Sequence, residues 1–436
     1  MKIKNLSAII KCIDNRILSG GGMSMPNESS ICRSNELTNT AKPFLEYKSK
    51  FPQKGTCFRQ KTMLQDYFNI NENLWNDWTW QLSNRITNIE QLRDIFYISS
   101  PVYEQIKEVS KKFRFAITPY YLSLINKFDE TDPIFLQSIP QYQELYDNGE
   151  YDPMDEVRTN PAGVITRRYP DRVIINITNC CATFCRHCQR RRNIGDMDKC
   201  ASSLKLEQSY NYIKGHPEIR DVLITGGDPL TLPDNTIKNI LEKIRSISTV
   251  EIIRIGTRTP VTMPQRITNN LINVLKKYSP LYINTQFNHP SEITPESSAA
   301  CLSLVDNGIV MGNQMVFLRN VNNNPNILQL LNQMLLAIKV RPYYIFHPKS
   351  IIGTEHFSIS ISEGVKIYEQ LRGNTSGLAI PAYIYNSKHG LGKISLNKEI
   401  LKLTDAKGFS VLETWEGHKI RVDTLATTCI EHELEE

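Results

Sequence analysis

The chain has 436 residues, of which 40% are hydrophobic and 22% charged, which excludes a disordered polymer and leaves room for roughly two to three domains. A formal net charge of +6 is too mild for a chain built to bind nucleic acid, and no run of ~18 apolar residues offers a membrane span. The ten cysteines lack a disulfide framework, and MKIKNLSAIIKCIDNRI is too often interrupted by charge to be a signal peptide, so the sequence points to the reducing cytoplasm.

Residues 1 to about 45 are polar, rich in Ser and Asn, and without periodicity, which predicts a loose extension. Within it, LSGGGMSM (18–25) offers Met23 and Met25 as alternative starts. Residues 46–160 read as a helical region. In LWNDWTWQLSNRITNIEQLRDIF (74–96), Trp75, Trp78, Trp80, Leu82, Ile86 and Leu92 fall at mixed helical spacing and predict core packing under a helix.

From about 161 to 375 short β-branched runs alternate with amphipathic stretches. Strands are predicted over 171–178, 221–225, 251–256, 281–286, 308–318 and 340–346, with helices over 236–247, 267–278 and 327–338. This alternation predicts an α/β fold with a parallel sheet, and six units suit a partial barrel of (β/α)6 type. The segment 376–436 reads as extended chain with Gly-rich turns, a C-terminal extension or lid over the barrel mouth.

The strongest chemical signal is Cys181-x3-Cys185-x2-Cys188. A [4Fe–4S] cubane normally takes four cysteines. Three in one loop leave one iron open to a reactive ligand. Zinc held by these cysteines and His187 is the competing set; His187 lies between two of the cysteines, which makes it a poor fourth ligand. Cys180, next to Cys181, is predicted to point elsewhere. Arg190-Arg191-Arg192 follows directly, so an active-site role is favoured over a nucleic-acid role.

The loop follows a predicted strand at its C-terminal end, where parallel α/β barrels assemble their sites. Other polar residues obey the same rule. Gly226, Gly227 and Asp228 follow the second strand and Arg258 the third. Gln286 ends the fourth, Gln314 lies in the fifth, and His347 and Lys349 follow the sixth. In TGGDPL (225–230) the bare glycine backbone and the carboxylate suit a ligand bearing an ammonium group, such as the aminoacyl end of S-adenosylmethionine.

Over roughly residues 70–425 the chain resembles the radical S-adenosylmethionine superfamily, and within it the lysine 2,3-aminomutase family. The resemblance rests on WNDWTWQLSNRIT (75–87), AITPYY (116–121), RRYPDRV (167–173), CATFCRHCQRRR (181–192), TGGDPL, TRTPVTMPQRI (257–267), NTQFNHPSEIT (284–294), GNQMVFLRNVN (312–322) and GLGK (390–393). It implies a partial (β/α)6 barrel and an isomerase with three cofactors: a [4Fe–4S] cluster on Cys181, Cys185 and Cys188, S-adenosylmethionine, and pyridoxal phosphate. It implies Lys393 as the catalytic lysine that carries pyridoxal phosphate, with Arg168 and Tyr169 beside the cofactor. It places His187, Gly226, Gly227, Asp228, Gln286 and Gln314 around S-adenosylmethionine, and Arg190 on the substrate α-carboxylate.

The sequence also departs from the lysine enzymes. The resemblance places Lys349 and Asn386 where they carry two aspartates that grip the substrate ammonium. That change implies a side-chain carboxylate instead, with glutamate the best fit; lysine, arginine and aspartate are alternatives, and a non-catalytic iron–sulfur protein the alternative of another class. Asn324 stands at a barrel position where the lysine enzymes bind structural zinc, and the tail TTCIEHELEE has only Cys429, which implies no structural zinc. Gln286 replaces a histidine. The expected partners are a small amino acid and a reducing electron donor, with no nucleic acid and no membrane, in a homo-oligomer (dimer or higher).

Overall fold

The computed structural model describes residues 28–51, 56–96, 98–126, 129–146, 149–399, 403–413, 418–427 and 431–433. The expectations for residues 1–27 and for Cys429 lie outside the described residues. The chain divides into two units, Met1–Pro52 and Gln53–Glu436.

In the first unit Glu28–Lys50 is a helix, which corrects the loose extension expected there. Most of its side chains are exposed, so no apolar stripe announces it. Local ion pairs support it, Arg33 with Glu36 at 3.0 Å and Lys50 with Glu46 at 2.6 Å.

In the second unit the segment expected as one helix breaks into three, Glu72–Trp75, Trp78–Ser83 and Ile89–Phe96. Asp77 starts a new helix by accepting the Thr79 amide at 2.8 Å. Ile86 pairs with Ile117 in an isolated bridge, which excludes helix there. Trp75, Ile86 and Leu92 are buried; Trp78, Trp80 and Leu82 are half-buried.

The sheet has nine strands in chain order: β1 (Ile165–Tyr169), β2 (Arg172–Thr178), β3 (Asp221–Gly226), β4 (Ile252–Gly256), β5 (Leu281–Thr285), β6 (Val310–Val316), β7 (Arg341–Phe346), β8 (Ala382–Asn386) and β9 (Lys393–Ser395). Strands β2 to β8 are parallel, and β1 and β9 flank them antiparallel. The six expected strands are β2 to β7, each followed by helix, so the partial (β/α)6 barrel stands. The C-terminal segment is not separate from it, because β8 and β9 continue the same sheet. The remaining strands β10 (Phe409–Glu413), β11 (Lys419–Asp423) and β12 (Glu431–Glu433) form their own antiparallel sheet. Among the described residues no helix is long and apolar enough to cross a membrane.

Side chains alternate along each barrel strand. Val173, Ile175, Val222, Ile224, Ile253, Ile255, Leu281, Ile283, Met311 and Ile345 are buried. The opposite parity carries Ile174, Leu223, Arg254, Asn284, Gln314 and Tyr344, which line a cavity. A filled barrel puts branched aliphatic residues at those positions. Arg254, Asn284, Gln314 and Tyr344 depart from that rule, and the lumen they line suits a ligand.

Candidate active site

The cavity measures about 920 Å³, at the upper end of the range for small-molecule sites. The residues assigned from the sequence to the cofactors and the substrate line it: Cys181, Cys185, Cys188, His187, Gly226, Gly227, Asp228, Gln286, Gln314, Arg168, Tyr169, Arg190, Lys349, Asn386 and Lys393; Arg191 and Arg192, expected at the site with Arg190, do not. Arg258 and His347 line it too, whereas Cys180 does not. No described residue of β10 to β12 reaches it, so the part of the C-terminal extension that lines the cavity is the β8–β9 hairpin.

The cysteine loop leaves β2 and lies against the end of β3. The Asp228 amide donates to the Cys180 carbonyl at 2.7 Å. A Cβ on Gly226 would collide with the Thr178 carbonyl oxygen, and φ there is +126°. The bare backbone of TGGD therefore admits the cysteine loop, a neighbour the sequence did not suggest. Gly226→Ala adds that collision to a backbone strain of about 1–3 kcal/mol. It is expected to lower iron loading on reconstitution, and unchanged iron per chain would contradict this.

Asp228, expected to face an ammonium group, has its carboxylate engaged by the protein. It accepts from Thr257 Oγ1 at 2.6 Å, the Leu230 amide at 3.1 Å and the Arg258 amide at 2.7 Å. It ties the β3 loop to the β4 loop.

Burial pushes the Cys181 thiol well up, with Asp228, Cys188 and Cys185 adding to it; burial and Cys185 push Cys188 up as well. Thiolates crowded this way need a cation. Among the described residues no three His, Cys, Asp or Glu side chains converge on a single ion. Three cysteines of one loop line the cavity and match the donor set of a cubane, which spreads its three thiolates over three irons. His187 is buried, and burial holds its pKa well below the ordinary value, with Arg258 and Arg191 adding to the effect. Its Nε2 lies 3.2 Å from Gln286 Nε2 and 3.3 Å from Asn288 Nδ2. Those amides donate to Nε2, which leaves the hydrogen on Nδ1, a buried atom with no protein partner.

Lys393 opens β9 opposite Asn386 on β8. The turn between them needs positive φ at Gly392, +113°, which explains the glycine before the lysine. Burial lowers the Lys393 pKa to about 8, helped by Arg172, Arg254 and Arg168. A partly neutral amine is what nucleophilic attack on an aldehyde requires. Its Nζ sits 5.1 Å from the Tyr169 ring centre. Arg168 Nε is a buried donor without a partner, and Nη2 has only the Glu156 ion pair at 3.3 Å, without hydrogen-bond geometry. An orphaned donor beside a depressed lysine fits a phosphate-bearing aldehyde such as pyridoxal phosphate.

The run Arg190-Arg191-Arg192 is neutralised residue by residue. Arg190 donates to Glu156, with Nε 3.1 Å from Oε1 and from Oε2. Arg191 pairs with Glu144, which Arg186 also grips at 2.6 Å. Arg192 reaches Asp152 and Glu156, each at 3.0 Å. Arg168 is the third guanidinium on Glu156, at 3.3 Å. Burial would raise the Glu156 pKa; Arg190, Arg168 and Arg192 overcome it and hold it at about 2. Glu156 and Glu144 escaped the sequence reading. The only trace was a cluster of acids in GEYDPMDE (149–156) upstream of the basic run.

Lys349 follows β7 in a loop held by the segment before Glu156. The Glu150 amide donates to Ser350 at 3.1 Å and the Ile352 amide to Glu150 at 3.1 Å. The half-buried Lys349 ammonium donates to Gln189 Oε1, another residue the sequence reading passed over. Burial lowers its pKa to about 7; Arg168, Arg190 and Lys393 push the same way and Glu156 opposes. Asn386 Nδ2 is a buried donor without a partner.

The Radical SAM superfamily model matches residues 175–322. The chain is similar to the glutamate 2,3-aminomutase of Clostridioides difficile (strain 630), 51% identical over 366 residues, 84% of this chain and 86% of that protein. It is also similar to the L-lysine 2,3-aminomutase of Clostridium subterminale, 44% identical over 345 residues, 79% of this chain and 83% of that one. The L-lysine 2,3-aminomutase of Methanococcus maripaludis is 46% identical over 325 residues, 73% and 75% of the two chains. A three-cysteine loop and a depressed lysine on one cavity agree with this kinship, and the chain belongs to the lysine 2,3-aminomutase family of radical S-adenosylmethionine isomerases.

Proposed function

We propose that the enzyme moves the amino group of L-glutamate from carbon 2 to carbon 3, giving β-glutamate. The observation that carries this reading is the charge of the cavity. Arg168, Arg190, Lys349 and Lys393 act on one another across it, with Glu156 the carboxylate among them. A substrate with two carboxylates and a cofactor with a phosphate would balance that charge, whereas the lysine side chain would add another cation.

When bound, the cluster and S-adenosylmethionine supply a carbon radical, and pyridoxal phosphate tethers the migrating nitrogen. The protein orients and shields that chemistry. Lys393, partly neutral, holds the aldehyde cofactor, and Arg168 with Tyr169 lies beside it. Arg190, held by Glu156 through Nε and Nη2, offers Nη1 to the α-carboxylate. Lys349 and Asn386 donate to the side-chain carboxylate, and Gln189 holds the Lys349 ammonium in the cavity. Cys181, Cys185 and Cys188 carry the cluster, and His187, Gln286 and Gln314 line the space left for S-adenosylmethionine.

Two measurements test this. Borohydride reduction followed by peptide mapping should place a pyridoxyl group on Lys393; a label elsewhere would refute that assignment. Initial rates with glutamate, aspartate, arginine and lysine should rank glutamate first. Strong activity on lysine alone would refute the substrate.

A further inference from the structure

We propose that Arg258 tunes the cluster: its hydrogen bond to the Cys185 sulfur raises the reduction potential of the [4Fe–4S] group that Cys185 helps to carry. The inference rests on the cluster assignment above.

Arg258 follows β4 and is 8% exposed. Its Nη1 donates to Cys185 Sγ at 2.8 Å. The rest of the guanidinium is fixed from other sides. Nη2 donates to Glu292 Oε1 at 2.6 Å, Gln137 Oε1 at 2.6 Å and Tyr121 Oη at 3.0 Å. Nε donates to the Gln286 carbonyl at 3.2 Å. Glu292 is itself immobilised, accepting from Tyr121 Oη at 2.7 Å, the Asn288 amide at 2.5 Å and the His289 amide at 2.8 Å.

A planar fork held at Nε and Nη2 has no freedom left at Nη1. Glu292 and the other positioning groups aim one donor at one sulfur. Reduction adds one electron to the cluster, [4Fe–4S]2+ to [4Fe–4S]+, and spreads negative charge onto the thiolates. An N–H donor bearing positive charge favours the reduced state and so raises the potential. Glu292 binds the opposite amino group, so the pair presents its positive end to the sulfur and offsets that effect in part. Arg258 thus acts through Cys185, as a positioning and tuning residue.

The test is a potentiometric titration of the reconstituted full-length enzyme, with dithionite as electron source and the [4Fe–4S]+ EPR signal as readout. Arg258→Gln should lower the reduced-to-oxidised ratio at fixed poise at least tenfold, a 59 mV fall for one electron. Glu292→Gln keeps an acceptor for Nη2 but removes its charge, and should shift the midpoint upward. Opposite signs separate tuning from simple loosening, which would move both variants the same way. An unshifted midpoint in iron-replete Arg258→Gln overturns the proposal. If that variant fails to load iron, an unshifted or lowered midpoint in Glu292→Gln overturns it. A wild-type enzyme without a cubane signal refutes the cluster assignment itself.

Discussion

Lys349→Asp should lower kcat/KM for glutamate by about a thousandfold. The substitution removes a cation from the cavity and places a carboxylate against the substrate carboxylate. Two like charges ~4 Å apart at an effective dielectric near 20 repel by about 4 kcal/mol, which is close to that factor. The loss should fall on KM, since Lys349 sits in the β7 loop and Lys393 opens β9. The pH dependence gives an independent check. The Lys349 pKa is about 7, and a bound carboxylate would favour its charged form. Above that pH, binding must take up a proton, so KM for glutamate should rise towards tenfold per pH unit. Lys349→Gln should remove this slope. A wild-type KM that stays flat from pH 7 to 9 would contradict the role given to Lys349.

The second large effect is expected on stability. Glu156 is 7% exposed, and its pKa falls from the ordinary 4.5 to about 2. A depressed carboxylate contributes stability that is full above the unfolded pKa and is lost as pH falls through the folded one. A depression of that size is worth about 3 kcal/mol. Glu156→Gln leaves Arg190 and Arg168 without their counter-charge and Arg192 with Asp152 alone, and breaking one partner out of such a buried group costs about 3–5 kcal/mol. Urea denaturation at pH 7 should therefore show the variant several kcal/mol less stable. The gap should narrow as pH drops from about 4.5 towards 2, because protonated Glu156 and Gln then carry the same charge. A gap that does not change with pH would mean that shape, not charge, is what Glu156 provides.

Much of this was legible in the sequence, for identifiable reasons. Strands β2 to β7 are short runs of Val, Ile and Tyr between helical stretches, so their positions follow from pattern. β1 was missed because ITRRY is mostly polar, and β8 because AYIYN follows Pro381 and reads as one more extended turn segment. The break at Asp77 could have been taken from its N-cap chemistry; the three tryptophans drew the eye to a continuous face instead. At the site, the cysteine loop and Lys393 were readable because their spacing is local. The network behind them is not. Arg258 finds Glu292 34 residues later, Tyr121 137 residues earlier and Cys185 73 residues earlier. Glu156 meets Arg190 across 34 residues. Sequence shows that such charges exist; only the folded chain says which ones meet.

The central claim is a 2,3-amino shift on glutamate, and the product tests it most directly. Reduced, reconstituted enzyme is incubated anaerobically with S-adenosylmethionine, pyridoxal phosphate and L-glutamate labelled with 15N. The expected product is β-glutamate that keeps the label on carbon 3. Formation of β-lysine in a parallel reaction with lysine, with glutamate returned unchanged, would contradict it.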